Sequence, residues 1–159
     1  MDEVLKLLEK NSKLTEEQIA VMLGKSVEEV RDAIRTAEEE NIILGYNTII
    51  NWEKTGNEKV IALIEVKVTP QRGEGFDKVA ERIYRFPQVK ACYLMSGGFD
   101  LTVIVEGKTM KEVALFVAEK LAPIESVIST ATHFILKKYK DEGTVFEKKS
   151  EDDREAVVL

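Results

Sequence analysis

The sequence predicts an α+β fold in two parts, an N-terminal winged-type helix-turn-helix domain and a C-terminal ferredoxin-like βαββαβ domain. Three observations predict it. Over residues 2–40, apolar residues recur at steps of three and four around two capping boxes. Beyond residue 59, strand-like and helix-like runs alternate in the order of a ferredoxin-like unit. The 159 residues, 44% hydrophobic and 33% charged, suffice for one domain or two small ones.

The first helix is predicted over about residues 2–11, where Asn11 and Ser12 interrupt its apolar spacing. A second helix begins at Thr15, which has Gln18 three positions later, and ends at Gly24. This capping box is a local signal for a helix start, because each side chain can satisfy a backbone N–H of the first turn.

The third helix begins at Ser26, which forms a second capping box with Glu29, and runs to about Glu40. Only Gly24 and Lys25 lie between the second and third helices. So short a turn makes the two helices cross steeply, as in a helix-turn-helix, and residues 1–47 are therefore assigned to this domain.

Residues 48–58 are predicted to be a β linker, since the stretch that leads into them is rich in β-forming residues. Residues 59–140 form the predicted ferredoxin-like domain. Its strands and helices are expected at about 60–68, 76–86, 89–95, 101–105, 110–121 and 127–139, with a hairpin turn at residues 96–100. Its strands are apolar on both faces, so the helix-free face of the sheet is expected to pack on another sheet and form a homodimer.

Charge is distributed unevenly along the chain. Residues 1–47 carry 6 basic and 11 acidic residues, a net charge of −5, whereas residues 59–140 carry 13 and 9, a net charge of +4. Residues 141–159 carry 3 basic and 7 acidic residues, and we expect them to be a mobile acidic tail.

Several classes of protein and site are excluded by what the sequence lacks. It has no apolar run of membrane-spanning length and no basic, apolar start typical of secretion, so a cytoplasmic location is expected. Cys92 and His133 are the only residues of their types, which excludes an internal disulfide and a structural zinc site. Phosphate-binding loops, nucleophile elbows and paired-histidine motifs are missing, so no catalytic residue, metal or cofactor is predicted.

The ordered set of motifs resembles the Lrp/AsnC family, the leucine-responsive and asparagine regulators of bacteria and archaea. Residues 2–8 resemble the start of the family's first domain, and residues 41–46 resemble the Gly-x-Ile-x-Gly-Tyr segment after its third helix. Residues 97–100 and 130–132 match a Gly-x-x-Asp turn and a Thr-x-Thr strand of its effector-binding (RAM-type) domain. The resemblance implies a DNA-binding transcription regulator that binds an amino acid or related metabolite, and forms homodimers that assemble into tetramers or octamers.

Candidate DNA-binding residues lie on and beside the third helix. They are Lys25, Ser26, Arg31 and Arg35. Either arginine can contact guanine or a phosphate, and Ser26 can contact a phosphate from the helix N-terminus. Alternatively, the arginines form ion pairs with Glu28, Asp32 or Glu39 on a solvated helix face.

Candidate effector-binding residues lie in the hairpin turn and the last strand. They are Ser96, Gly97, Gly98, Phe99, Asp100, Thr130 and Thr132. Unobstructed backbone amides in the glycine turn suit a carboxylate, Asp100 suits an amine, and the threonines share one strand face. In the alternative, Asp100 bonds to turn amides, the threonines are strand residues chosen for their shape, and Phe99 is a packing residue.

Two other functions remain open at this point. The net charge of −5 over residues 1–47 favours a regulator-like protein that binds ligand and oligomerises but has little affinity for DNA. A third hypothesis is an enzyme, because one branch that resembles this family decarboxylates sirohaem. Those proteins use basic and histidine residues, and this chain has a single histidine, His133.

Overall fold

A computed structural model of the chain describes residues 1–69, 73 and 75–146. It divides into two compact units, one formed by residues 1–49 and the other beginning at residue 50. The first unit is helical and the second is built on an antiparallel sheet, so the predicted α+β class is confirmed. Among the described residues, every helix is too short or too polar to cross a lipid bilayer.

The first unit contains three helices, α1 (Asp2–Lys10), α2 (Glu16–Leu23) and α3 (Val27–Glu39). Both predicted capping boxes are present, at Thr15 and at Ser26. Gly24 ends α2 in the left-handed region at φ 64°, which glycine adopts without the steric cost of a Cβ. The helices enclose a small apolar core in which the buried side chains are Val4, Leu8, Ile19, Ala20 and Val30.

The segment between the two units differs from the prediction. Within this fully described stretch no strand lies between α3 and residue 60, so neither the predicted wing nor the predicted β linker is formed. A strand needs a neighbour for its backbone groups, and the described residues of the chain offer this segment none. It instead contains one 3-10 turn, Trp52–Thr55.

The second unit has the predicted βαββαβ order. Its elements are β1 (Val60–Val68), α4 (Asp77–Tyr84), β2 (Val89–Leu94), β3 (Leu101–Gly107), α5 (Met110–Phe116) and β4 (Val127–Ile135), and α5 continues as a wider π-helical turn, Val117–Leu121. The four strands form one antiparallel sheet in the order β2-β3-β1-β4. Short connections between consecutive antiparallel strands place the turn at residues 96–100 at one end of this sheet.

The core of the second unit lies between the sheet and its helices. The alternate residues Ile64 and Val66 of β1, with Val103 of β3, face α4 and α5 and are completely buried. Intervening residues such as Leu63 and Ile104, which are directly opposite each other, lie on the other face and are only half-buried. This second face, here called the open face, therefore retains apolar surface.

Residues beyond β4 depart from the predicted acidic tail. Strand β4, the last of the four-stranded sheet in chain order, ends at Ile135. A small hairpin follows it, formed by β5 (Lys140–Asp141) and β6 (Thr144–Val145). Its turn places Glu142 at φ 45° and Gly143 at φ 76°, the backbone region of a tight two-residue hairpin. The rest of the predicted tail, residues 147–159, lies outside the described residues.

Candidate functional site

The N-terminus of α3 is organised by Ser26. Its hydroxyl accepts a hydrogen bond from the backbone N–H of Glu29 at 3.2 Å, and the Glu29 carboxylate accepts one from the Ser26 N–H at 2.9 Å. These bonds satisfy helix-terminal N–H groups and hold the first turn of α3 in place. The backbone N–H of Ser26 lowers the pKa of Glu29 most, and the Ser26 hydroxyl lowers it further.

The three predicted DNA-binding cations of this unit each lie close to a carboxylate. Arg31 contacts Glu16 of α2 at 2.8 Å, and Arg35 contacts Asp32 of its own helix at 2.7 Å. Lys25 lies 3.8 Å from Glu3 of α1. All three cations remain exposed, so water and a polyanion can still reach them.

These ion pairs agree in part with the alternative interpretation of the sequence. The partner of Arg35, Asp32, was among the three carboxylates expected. The partner of Arg31 is Glu16, which lies 15 positions earlier and meets it only because α2 and α3 pack together. An exposed ion pair contributes little stability, so this pairing leaves both interpretations of Arg31 open, an ion pair on a solvated helix face or a contact in which a phosphate displaces the carboxylate.

The hairpin turn between β2 and β3 is open to solvent. Ser96, Gly97 and Gly98 are exposed, and none of their backbone N–H groups donates a hydrogen bond to another described residue. A Cβ added at either glycine would meet nothing within 4 Å, and neither glycine has the positive φ that would require this residue. Neither the space around these two positions nor their backbone conformation therefore requires glycine.

Asp100 anchors this turn to the sheet. Its Oδ2 accepts a hydrogen bond from the backbone N–H of Val68 at 2.8 Å, where the register between β1 and β4 shifts. Its backbone N–H donates to the carbonyl of Val66, and its own carbonyl accepts from Met95. Within the described residues, no hydrogen bond to Asp100 Oδ1 is formed.

The threonines of β4 share a face, as predicted, but they are not next to the turn. Thr130 is opposite Val66 and Thr132 is opposite Ile64, so both lie on the helix-covered face and are half-buried. Strand β1 lies between β4 and β3, which begins directly after Asp100. Two strand spacings, about 10 Å, separate the backbone of Asp100 from that of the threonines, so the threonines are not immediate neighbours of the turn in the same chain.

Local sequence patterns did not predict three partners in these sites, Glu3, Glu16 and the backbone of Val68. Nothing in a local sequence pattern pairs residues from different helices or strands. Phe99, the other turn residue, is half-buried, which fits the packing role given to it as an alternative.

The remaining residues considered for chemistry have structural surroundings. On the open face, His133 Nε2 lies 3.3 Å from Glu65 Oε1. Burial raises the pKa of the Cys92 thiol, which disfavours the reactive thiolate. The ammonium of Lys59 lies 4.5 Å from the centroid of the Trp52 ring. The described ranges contain no group of three or more side chains suited to hold a metal ion.

Comparison with known proteins gives a family for this arrangement. Residues 61–145 match the Lrp/AsnC ligand binding domain. The chain is 52% identical over 157 residues to YugG, an uncharacterised HTH-type transcriptional regulator of Bacillus subtilis (strain 168), with 98% of this chain and 94% of YugG covered. It is 29% identical to the HTH-type transcriptional regulator LrpA of Pyrococcus horikoshii, over 86% of this chain and 94% of that protein.

Solved structures share the fold. The AsnC structure from E. coli has a TM-score of 0.67 at 17% identity and covers 86% of this chain and 89% of its own. A transcriptional regulator of Neisseria meningitidis, solved as an L-Met complex, has a TM-score of 0.68 at 20% identity, with 87% and 89% covered. The family match over more than half of the sequence, and the full-length similarity to YugG, show that this chain belongs to the Lrp/AsnC family of transcriptional regulators.

Proposed function

We propose that the protein is an amino-acid-responsive transcription regulator, in which the turn at residues 96–100 binds the effector and α3 binds duplex DNA. The observation that carries the effector site is the set of three exposed backbone N–H groups at Ser96, Gly97 and Gly98, none of which donates a hydrogen bond within the described part of the chain. Consecutive amides without another partner bind a carboxylate well, and Asp100 Oδ1, which accepts no hydrogen bond from the residues that the structure describes, suits an ammonium group. An amino acid carries both groups.

The binding site requires more than one copy of the chain. The turn alone is open, and Thr130 and Thr132 lie about two strand spacings from Asp100 in the same chain. A neighbouring subunit that covers the turn would exclude water and strengthen the polar contacts. We therefore place the effector between subunits of a homodimer or of a larger assembly, a tetramer or octamer, in the cytoplasm.

Thermal unfolding with each of the twenty amino acids tests this site, with L-methionine first because the Neisseria relative was solved with it. At about 100 times its dissociation constant, a ligand adds about 2.7 kcal/mol to the free energy of unfolding. Gly97→Val should abolish this response without unfolding the chain, because the space around Gly97 is empty.

Gly45→Val is the matched control, since Gly45 also has open space around it and lies in the first unit. An amino-acid response that survives Gly97→Val as well as it survives Gly45→Val would place the site elsewhere. No response to any of the twenty would contradict an amino acid as the effector.

DNA binding by α3 is supported by the exposed cations Arg31 and Arg35, which lie one helical turn apart. A selection from random duplexes at low salt, followed by mobility shifts of the selected sequences, tests it. Arg31→Ala and Arg35→Ala should weaken binding and reduce its salt dependence. Arg85→Ala, which removes an exposed cation that pairs with Glu81 of α4, is the control and should leave binding unchanged.

A second function is favoured by one specific observation, the carboxylate beside each of the three cations near α3. In this alternative, the protein binds its effector and oligomerises, but has little affinity for DNA. The same experiments separate the two functions. A protein that retains no duplex at low salt, yet is stabilised by an amino acid, has the second function.

A further inference from the structure

The linker is attached to the first unit at Tyr46. Its hydroxyl donates a hydrogen bond to Glu38 Oε1 of α3 at 2.8 Å. Burial raises the pKa of Tyr46 first, and the bond to Glu38 raises it further, so the hydroxyl keeps its proton over the physiological range. This bond ties residues 40–45 back against the third helix.

The linker is attached to the second unit at Trp52. The ammonium of Lys59 lies 4.5 Å from the centroid of the Trp52 ring, within the range of a cation–π interaction. The same ammonium contacts Glu106 Oε1 of β3 at 2.8 Å, and Lys90 of β2 lies 4.0 Å from that oxygen. Lys59 thus joins the 3-10 turn Trp52–Thr55 to the sheet.

Residues 47–51 lie between these two attachment points. They have neither helical nor strand structure, and Ile49 and Ile50 are 44% and 41% exposed. The division between the two compact units, at Ile49 and Ile50, falls within the same five residues. These three features therefore locate one short segment in which, among the described residues, the Asn51 carbonyl alone takes part in a backbone hydrogen bond, accepting from the N–H of Lys54.

We propose that Tyr46 and Lys59 are positioning residues that confine the joint between the DNA-binding and ligand-binding units to residues 47–51. This proposal rests on the proposed function in one respect. The joint at residues 47–51 is the covalent connection through which an effector bound to the second unit would act on the first unit. When a short linker is held at both ends, a rotation of one unit is passed on to the other unit. A longer linker without such contacts would absorb the rotation in its own flexibility. Lys59 matters most, since it contacts both the linker turn and the sheet.

Fluorescence of Trp52, the only tryptophan of the chain, tests the attachment to the second unit. Its time-resolved anisotropy should decay with the slow tumbling of the folded unit. Lys59→Met should add a fast component of roughly threefold larger amplitude, because both the cation–π contact and the ion pair are lost. Lys59→Arg, which keeps the charge, should restore the slow decay.

Lys111→Met is the matched control, because it removes an exposed lysine of α5 that lies outside this cluster. Thermal unfolding of every variant separates a local release from a loss of fold. An unchanged anisotropy in Lys59→Met, or an equal change in Lys111→Met, would overturn the role given to Lys59.

Limited proteolysis with thermolysin, which cleaves before large apolar residues, tests the location of the joint. The first cut within residues 1–69 should fall before Ile49 or Ile50. Tyr46→Phe removes only the hydroxyl, and should make cleavage before the exposed Leu44 about fivefold faster, as expected for the loss of one hydrogen bond.

A first cut before Leu44 in the wild-type chain, or no acceleration in Tyr46→Phe, would overturn the role given to Tyr46. Neither measurement uses DNA or an amino acid. A failure here therefore leaves the proposed function intact, and a failure of the ligand or DNA experiments leaves the joint intact.

Discussion

Arg31 of α3 and Glu16 of α2 form an ion pair in which both Nε and Nη2 of the arginine lie 2.8 Å from Glu16 Oε2. The hydrogen bond to Glu16 raises the pKa of Arg31 most, and the negative charge of Glu16 raises it further. The strongest candidate for contact with DNA on α3 thus has a carboxylate at its side. Any phosphate that approaches Arg31 must displace that carboxylate or tolerate its charge.

Glu16→Gln should therefore raise the affinity for duplex DNA by about three- to tenfold at low salt, since it removes a charge that repels phosphate next to Arg31. Titration of a fluorescent duplex, followed by anisotropy at two salt concentrations, measures the effect.

Glu9→Gln, which removes an exposed charge from α1, is the control for net charge. An equal gain in both variants would mean that only the total charge matters. No gain in either would mean that Arg31 does not face the DNA.

The capping boxes at Thr15 and Ser26 were predictable from the sequence because each depends on residues three positions apart. The βαββαβ order of elements along the chain was predictable for a similar reason, since hydrophobic periodicity is a local property. The partner of Arg31 was not predictable in this way, because it lies 15 positions away on another helix.

The proposed effector site shows the same limit. The turn at residues 96–100 was recognised from its glycines, but the bond from Val68 to Asp100 spans 32 positions and depends on how two strands align. Thr130 and Thr132 were correctly placed on one face, but strand order decides which neighbours they have. Local sequence patterns also could not predict that the linker lacks a strand, because a β-rich segment forms a strand only where a partner strand exists.

The capping box at Ser26 predicts how the stability of the first unit depends on pH. Hydrogen bonds from Ser26 hold the pKa of Glu29 below its ordinary value of 4.5. The stabilisation is therefore fully present above about pH 4.5, and is lost as the pH falls through the lowered value of the folded state. Glu29→Gln should flatten this part of the acid unfolding curve, because the amide oxygen can still accept the bond from the Ser26 N–H.

Thermal unfolding followed by circular dichroism between pH 7 and pH 3 measures this slope. Glu39→Gln, a change at an exposed carboxylate of the same helix, is the control. A slope that Glu29→Gln and Glu39→Gln change equally would contradict the role of the capping box.

Asp100 has a structural role, which can be tested separately from its proposed role in ligand binding. Asp100→Ala should lower the free energy of unfolding by about 1–3 kcal/mol, because the backbone N–H of the buried Val68 loses its acceptor. Asp100→Asn keeps an acceptor oxygen and should cost less than about 1 kcal/mol. Urea unfolding of both variants measures the difference.

The same pair of variants separates charge from structure in the effector site. If the carboxylate binds an ammonium group, Asp100→Asn should remain folded and lose the amino-acid response. Equal destabilisation by Asn and Ala would show that the bond to Val68 is not what anchors the turn.

The open face predicts the oligomeric state. Leu63 and Ile104 are opposite each other there, half-buried in the single chain, with the Glu65 and His133 pair beside them. An apolar sheet face that carries one carboxylate and one imidazole is self-complementary across a twofold axis, since each polar side chain can meet the other in the second copy. Sedimentation velocity should give about twice the chain mass of 18.0 kDa, or a multiple of that dimer.

Leu63→Lys should convert this assembly into monomers, because two ammonium groups would have to be buried in a face-to-face packing of sheets. Leu115→Lys makes the same substitution at an exposed leucine of α5, away from the open face, and should leave the mass unchanged. A wild-type chain that sediments as a monomer, or a Leu63→Lys variant that keeps the full mass, would show that the sheets do not pair through this face. The effector site would then have to be formed by the turn at residues 96–100 without a neighbouring subunit.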